Sequence, residues 1–252
     1  MPDIKQTGPN PLQKYFRQPK IYLSLPSKGH WYPEGAIEMT ENGELPVYAM
    51  TAKDELAFKT PDALLNGQSV VDVVKSCVPN IKDPWLMPSI DVDAILIAIR
   101  IATYGEKMEI ETRVPTAATM RKFDLDLRLL LDRYQGIEYE NVVEIGGMKI
   151  TLKPQTYREF TRTAIKTFEE QRIAETVSNS KLSDGEKLDR FSDSFNKITQ
   201  VTIDMVVHGI VQIQVDDQVV VDQNHIMEFI TKGDKDFYAG ITEHMEAQKK
   251  KY

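Results

Sequence analysis

The sequence predicts an α+β fold: a helical N-terminal subregion, a central antiparallel sheet of about four strands, and a C-terminal helical hairpin plus a small β-hairpin. Three observations favour this class. Residues 89–105 are apolar around nearly the whole helical circumference, so neighbouring elements must bury that helix. Apolar and polar residues alternate over 107–114 and 123–129, as in half-buried antiparallel strands. Apolar residues recur three and four positions apart over 156–176 and 183–205, as in amphipathic helices.

Composition and charge are those of a soluble globular protein. Of the 252 residues, 41% are hydrophobic and 27% are charged. The net charge of −7 argues against nucleic acid as a partner, because phosphate binding requires a basic surface. The single cysteine excludes an intrachain disulfide framework and suits a reducing cytosol. Neither a signal-peptide core nor a membrane-spanning run is present in the sequence, so we expect a cytoplasmic protein without a membrane partner.

The N-terminal 20 residues contain four prolines, which favours an extended backbone. This segment is either an unstructured terminus or an arm that becomes ordered on a partner, with Tyr15 and Phe16 as anchors. The predicted regions are an extended arm over 1–20, a hairpin and helical region over 21–105, an antiparallel sheet over 106–154, and a mostly helical region over 155–252.

A short strand over 21–25 leads into a turn-rich loop over 26–33 that is bracketed by prolines. Within this loop, Trp31 and Tyr32 either cover the edge of the domain, which is the commoner arrangement, or form a contact site. We call residues 26–33 the Trp31 loop.

The segments 37–40 and 45–50 flank Asn42-Gly43, a strong signal for a β-hairpin. Thr51 is positioned to cap the helix that follows. The expected helices in this subregion span 51–59, 60–66 and 69–78.

Cys77 lies on the apolar face of the third of these helices, so we expect an inert core thiol. A proline-punctuated loop containing Trp85 then leads into the apolar helix, where Ser89 or Asp91 can cap the start and Gly105 the end.

Arg100 interrupts the apolar helix and needs a carboxylate, carbonyl groups or an aromatic face as a partner. Tyr104, four residues further on, is within reach for stacking. A structural ion pair is the commoner role for such an arginine, and a substrate clamp is the alternative.

In the C-terminal half, 143–145 and 148–152 flank Gly146-Gly147 and predict a second hairpin that completes the central sheet. Ser183 and Glu186 match a capping box that opens the second helix of the helical hairpin. Core burial is the default role for its apolar stripes, and a partner-facing surface is the alternative. The remaining elements are a β-hairpin over 210–215 and 219–222 and helices over 226–231 and 234–251.

Catalytic and metal-binding motifs are missing from the sequence. The four histidines have no metal-ligand spacing, and neither a phosphate-binding loop nor a nucleophile elbow is present. Ser178 and Lys181 match a serine-lysine pattern but lack its companion motifs. We therefore predict a non-enzymatic protein with no catalytic residue, cofactor or metal site.

Several ordered segments carry a family resemblance: LPSKGHWYP from residue 25, VYAMTAKDELAFKTPDALLNGQSVVDVVKSCVPNI from residue 47, and DVDAILIAIRIATYG from residue 91. As an ordered set they resemble the T-even-type phage baseplate hub subunit family, the product of gene 26. The C-terminal segments SFNKITQVTIDMVVHGIVQI and HIMEFI are also similar to longer phage members. Some relatives have a cysteine pair between the two alternating strands, where this chain reads VPTA over 114–117, so no metal knuckle is expected.

The resemblance implies a component of the central hub of a contractile-tail baseplate, with other hub proteins and the tape-measure protein as partners. It implies assembly in the host cytoplasm and is compatible with a final place in the virion tail baseplate. Three interpretations stay open: a permanent hub subunit, a tail assembly chaperone that leaves, and an enzyme with a dispersed site.

We further hypothesise that the Arg100 helix and the Trp31 loop lie close together and form the principal partner surface, because both contain large apolar groups. The candidate partner-binding residues are Tyr15, Phe16, Trp31, Tyr32, Trp85, Arg100 and Tyr104.

Overall fold

The computed structural model describes residues 12, 15–59, 67–113, 120–178 and 182–252. Within these residues the chain forms eight α-helices and three antiparallel sheets, two of two strands and one of four. The predicted α+β class is therefore confirmed. The predicted helix over 60–66 and the segment 114–117, where no metal knuckle is expected, lie outside the described residues.

The strands are β1 (Pro19–Ser24), β2 (Glu44–Tyr48), β3 (Lys107–Arg113), β4 (Met120–Asp126), β5 (Val142–Ile145), β6 (Met148–Leu152), β7 (Ile210–Val215) and β8 (Gln218–Val220). The α-helices are α1 (Ala52–Phe58), α2 (Gln68–Cys77), α3 (Ser89–Tyr104), α4 (Leu127–Gln135), α5 (Tyr157–Ser178), α6 (Asp184–Gly209), α7 (Gln223–Lys232) and α8 (Lys235–Lys249). A short 3-10 helix spans Pro84–Leu86.

The N-terminal sheet differs from the predicted hairpin. The chain turns at Gly43, whose φ is +75°, but β2 pairs antiparallel with β1, with Leu23 opposite Leu45. Ile37 forms only an isolated bridge with Ile81. The prediction of a hairpin over 37–50 is therefore wrong. Strands β1 and β2 each contribute fully buried side chains to the same core, and this shared burial favours their pairing.

Helix α3 is the centre of the first core, as its apolar sequence predicts. It contacts β1, β2, α2 and α4, and its side chains Ala94, Ile95 and Ala98 are completely buried. Gly105 follows it at a φ of +91°, a value that glycine adopts without steric cost.

The ribbon of β3 and β4 is more exposed than predicted. Its strands pair with Met108 opposite Leu125, but Met120 is 56% and Phe123 is 44% exposed. The second strand also ends at Asp126, not at 129, because the Asp126 carboxylate accepts hydrogen bonds from the first backbone N–H groups of α4. Helical spacing then buries Leu127 and Leu131 of α4 in the first core.

The four-stranded sheet has the order β5-β6-β7-β8. The number of strands matches the prediction, but its members do not: the ribbon of β3 and β4 stays separate, and the C-terminal hairpin of β7 and β8 joins β5 and β6. Ile150 of β6 lies opposite Ile213 of β7, and both are buried. With the end of α6 and with α7 and α8, this sheet forms a second core.

Two long helices, α5 and α6, form the predicted helical hairpin. Thr156 and Glu159 cap α5 reciprocally, and the Ser183–Glu186 capping box at α6 is confirmed. The helices pack against each other, and their short connection requires them to run antiparallel.

Candidate interaction surface

A buried carboxylate holds the Trp31 loop on α3. Asp91 is completely buried, and its Oδ1 accepts from the Ser27 N–H at 2.8 Å. Its Oδ2 accepts from the Ser27 hydroxyl at 2.5 Å and from the Tyr32 hydroxyl at 3.0 Å. Burial raises the pKa of Asp91 to about 6, against the opposing effect of these hydrogen bonds. Asp91 therefore joins the loop to the helix and does not cap it; Pro88 is the N-cap residue.

The two aromatic residues of the Trp31 loop both have partners within the chain. The Trp31 ring lies edge-on to the Tyr139 ring, with 5.2 Å between centroids. The Tyr32 hydroxyl is committed to Asp91, and burial raises the pKa of Tyr32 well above its ordinary value. These contacts favour the edge-covering role over a free contact site.

Arg100 and Tyr104 pair with each other at the C-terminal half of α3. The Arg100 guanidinium carbon lies 4.5 Å from the centre of the Tyr104 ring, so the arginine stacks on this tyrosine. Arg100 forms no ion pair with any of the described residues. Its buried Nη1 has no hydrogen-bond partner among the described residues. At a rise of about 1.5 Å per residue, Arg100 lies roughly 13 Å along α3 from Asp91. The Trp31 loop thus lies on the Arg100 helix but is not brought next to Arg100 itself.

The other candidate residues are divided between packed and exposed positions. Trp85 stacks on Tyr157 with centroids 5.6 Å apart and lies against the first core. Tyr15 and Phe16 are 73% and 57% exposed. They precede Arg17, which fixes the chain to the fold by donating to the Ala49 carbonyl at 2.7 Å and to the Ser76 carbonyl at 2.5 Å.

The long helical hairpin exposes large apolar side chains, contrary to the default expectation of core burial. Phe168 is 58%, Leu188 66% and Phe195 70% exposed. Neither core includes any described residue from 158 to 202. We call the exposed rows of both helices the apolar hairpin face; it comprises Phe160, Ala164 and Phe168 of α5 and Leu188, Phe191 and Phe195 of α6.

At the base of the hairpin, the two rows of this face lie on the same side. An open cavity of about 600 Å³ lies where α3, the hairpin base and α8 meet. Phe160, which begins the α5 row, lines this cavity together with Thr202 and Met205, which continue the α6 row at spacings of three and four. Both rows therefore run outward from the same cavity.

These rows are visible in the sequence, but none of their residues is among the predicted partner-binding residues. Apolar spacing is the same for a core stripe and for an exposed one, so spacing alone does not separate them. Helix length is the feature that indicates exposure. Helix α5 has 22 residues and α6 has 26, which correspond to about 33 and 39 Å at the helical rise. Helices of that length extend beyond a core formed by short strands.

No described helix is both long enough and apolar enough to cross a membrane. Across the same residues, no group of three histidine, cysteine, aspartate or glutamate side chains is placed to hold a metal ion. The Cys77 thiol is buried, which raises its pKa to about 11, as expected for a thiol with a packing role.

No curated protein and no solved structure matches this chain. A family match, described as T4 bacteriophage base plate protein, extends over residues 13–252, which include both cores and the helical hairpin. The chain therefore belongs to this family of phage baseplate proteins and has a structural role in the baseplate.

Proposed function

We propose that the chain is a non-enzymatic component of the central hub of a contractile-tail baseplate and acts through protein–protein contacts. It assembles in the host cytoplasm, where it binds other hub proteins and the tape-measure protein. The observation that carries this proposal is the apolar hairpin face, because a baseplate protein must present surfaces that other subunits cover.

The exposed area of this face is large enough to drive association. Its five large side chains, at roughly 200 Å² each when fully exposed, leave about 500 Å² of apolar surface in contact with water. Covering that area yields about 12 kcal/mol at about 25 cal/mol per Å², before the costs of association are subtracted. A contact at this face can therefore contribute much of the binding energy of a subunit.

A matched pair of variants tests the proposal in an infecting phage. Phe195→Glu places a charge in the apolar hairpin face at a 70% exposed position. Asn196→Glu places the same charge at the next residue, which is also exposed but lies outside the rows. We expect Phe195→Glu to reduce the yield of infectious particles at least 100-fold and Asn196→Glu to leave it unchanged. Equal yields for both variants would contradict the proposal.

Mass spectrometry of purified virions separates the permanent subunit from the assembly chaperone. We expect peptides of this chain in mature particles at a fixed ratio to other baseplate proteins. Presence in infected-cell lysate with absence from particles would instead identify a chaperone for the hub or the tape-measure protein.

The non-enzymatic part of the proposal is supported by the cluster of Asp91, Ser27 and Tyr32, in which the Asp91 side chain of α3 is completely buried. Both carboxylate oxygens are engaged by Ser27 and Tyr32, so the cluster has a structural task. Turnover of a small molecule by the purified protein would overturn this part.

A further inference from the structure

The α6 row has the spacing of a coiled-coil seam. Its apolar positions continue towards the hairpin base with alternating steps of three and four, interrupted by one threonine: Leu188, Phe191, Phe195, Ile198, Thr202 and Met205. Such a seam receives the side chains of a facing helix as knobs in holes. The spacing therefore points to an α-helix as the occupant.

Helix α5 leaves part of this seam uncovered. Ser194 is 4% exposed, and Ile198 is half-buried, whereas Phe195 beside them is 70% exposed. The Glu170 carboxylate, on the α5 side, pairs with Lys197 at 3.4 Å. The hairpin thus resembles one half of a four-helix bundle, with one side of its apolar surface unpaired.

The area of the apolar hairpin face matches that of a homodimer interface. Two copies would bring together about 1,000 Å² of apolar surface, from roughly 200 Å² for each fully exposed large side chain. Because about 65% of a homodimer interface is apolar, this corresponds to a total of about 1,500 Å². Stable interfaces bury about 1,200–2,000 Å², so the face is sufficient for a dimer.

The charges around the face are compatible with a second copy. The chain as a whole has a net charge of −7, which opposes self-association. The hairpin itself has a smaller charge: α5 is formally neutral, with four basic residues and four glutamates, and α6 has five acidic and three basic residues, for a net charge of −2. Because both signs are interspersed along the hairpin, two copies can face each other with little net repulsion.

We propose that a second copy of this chain covers the apolar hairpin face, so that two hairpins form a four-helix bundle about a two-fold axis. This inference rests on the proposed function, because it identifies the partner that binds the apolar hairpin face. A closed two-fold contact uses the face of both copies completely and leaves the remaining surface, which includes the exposed Phe16, for other baseplate proteins.

Sedimentation equilibrium of the purified full-length chain tests the inference. At about 50 µM, well above the micromolar range of a weak interface of this size, we expect twice the chain mass of 28.8 kDa. Phe195→Glu places two like charges in the contact, and over a dilution series it should raise the dimer dissociation constant at least 100-fold. Asn196→Glu should remain dimeric. Circular dichroism must show unchanged helix content in both variants, and the exposure of both positions leads us to expect this.

The outcomes distinguish this inference from the proposed function. A single-chain mass for the unmodified protein, or a dimer dissociation constant that Phe195→Glu leaves unchanged, overturns the inference that a second copy covers the face. If the protein is monomeric but Phe195→Glu still blocks particle formation, a helix of another protein occupies the face and the proposed function stands. If Phe195→Glu dissociates the dimer without affecting particles, the dimer stands and the proposed function of this face fails.

Discussion

The buried Asp91 carboxylate should make the stability of this protein fall as the pH rises. Its folded-state pKa is about 6, against 3.8 for an ordinary aspartate. A group whose pKa is raised by folding contributes stability below its unfolded pKa and loses that contribution as the pH rises through its folded pKa. Asp91→Asn removes the titration while keeping the size of the side chain.

The magnitude follows from the two pKa values. At about 1.4 kcal/mol per pH unit, the full contribution is about 3 kcal/mol. Between pH 4.5 and pH 8 about 2 kcal/mol of it is lost. No discount for solvent screening applies, because Asp91 is completely buried.

Urea unfolding at both pH values, followed by the fluorescence of Trp31 and Trp85, measures the difference. Because other carboxylates also titrate, the quantity of interest is the change in the stability gap between the protein and Asp91→Asn. We expect the parent protein to lose about 2 kcal/mol relative to Asp91→Asn between pH 4.5 and pH 8. Tyr32→Phe removes one hydrogen bond but keeps the carboxylate, so it should retain the pH dependence. A gap that is constant with pH, or that changes in the opposite direction, would refute the reasoning.

Three further predictions concern the N-terminal segment, the buried cysteine and the turn between β5 and β6. Arg17→Ala removes the hydrogen bonds that fix the end of the N-terminal segment and should cost about 1–2 kcal/mol in urea unfolding; an unchanged midpoint would contradict this role. The Cys77 thiol, buried and with a pKa near 11, should resist a thiol reagent at pH 8 until the protein unfolds, so rapid labelling of the folded protein would show that it is accessible. Gly146→Ala combines a φ of +58° with a new Cβ only 2.5 Å from Cε1 of Phe237 and should lower stability by about 1–3 kcal/mol. Gly147→Ala, at a φ of +80° with open space around it, is the matched control and should cost less in thermal unfolding.

Features that depend on a few neighbouring residues could be predicted from the sequence. Thr51 and Ser183 begin their helices as expected, because a capping box is complete within four residues. The apolar helix ends before Gly105 for a similar local reason. The stacking of Arg100 on Tyr104 follows from their separation by one helical turn.

Strand partners could not be predicted in the same way. The Asn42-Gly43 turn reverses the chain, but the pairing of β2 with β1 depends on which edges the core brings together. Likewise, β7 lies next to β6 across more than fifty intervening residues. Such pairings depend on long-range packing, and an alternating pattern describes a strand without naming its neighbour.

The amino-acid sequence by itself determined the α+β class, the central apolar helix and the apolar spacing of α5 and α6, because each of these follows from local periodicity. Only the tertiary structure decided that Asp91 is a buried acceptor for the Trp31 loop and that Phe168 and Phe195 remain exposed. Burial depends on what the rest of the chain places against a side chain, and a one-dimensional pattern does not contain that information.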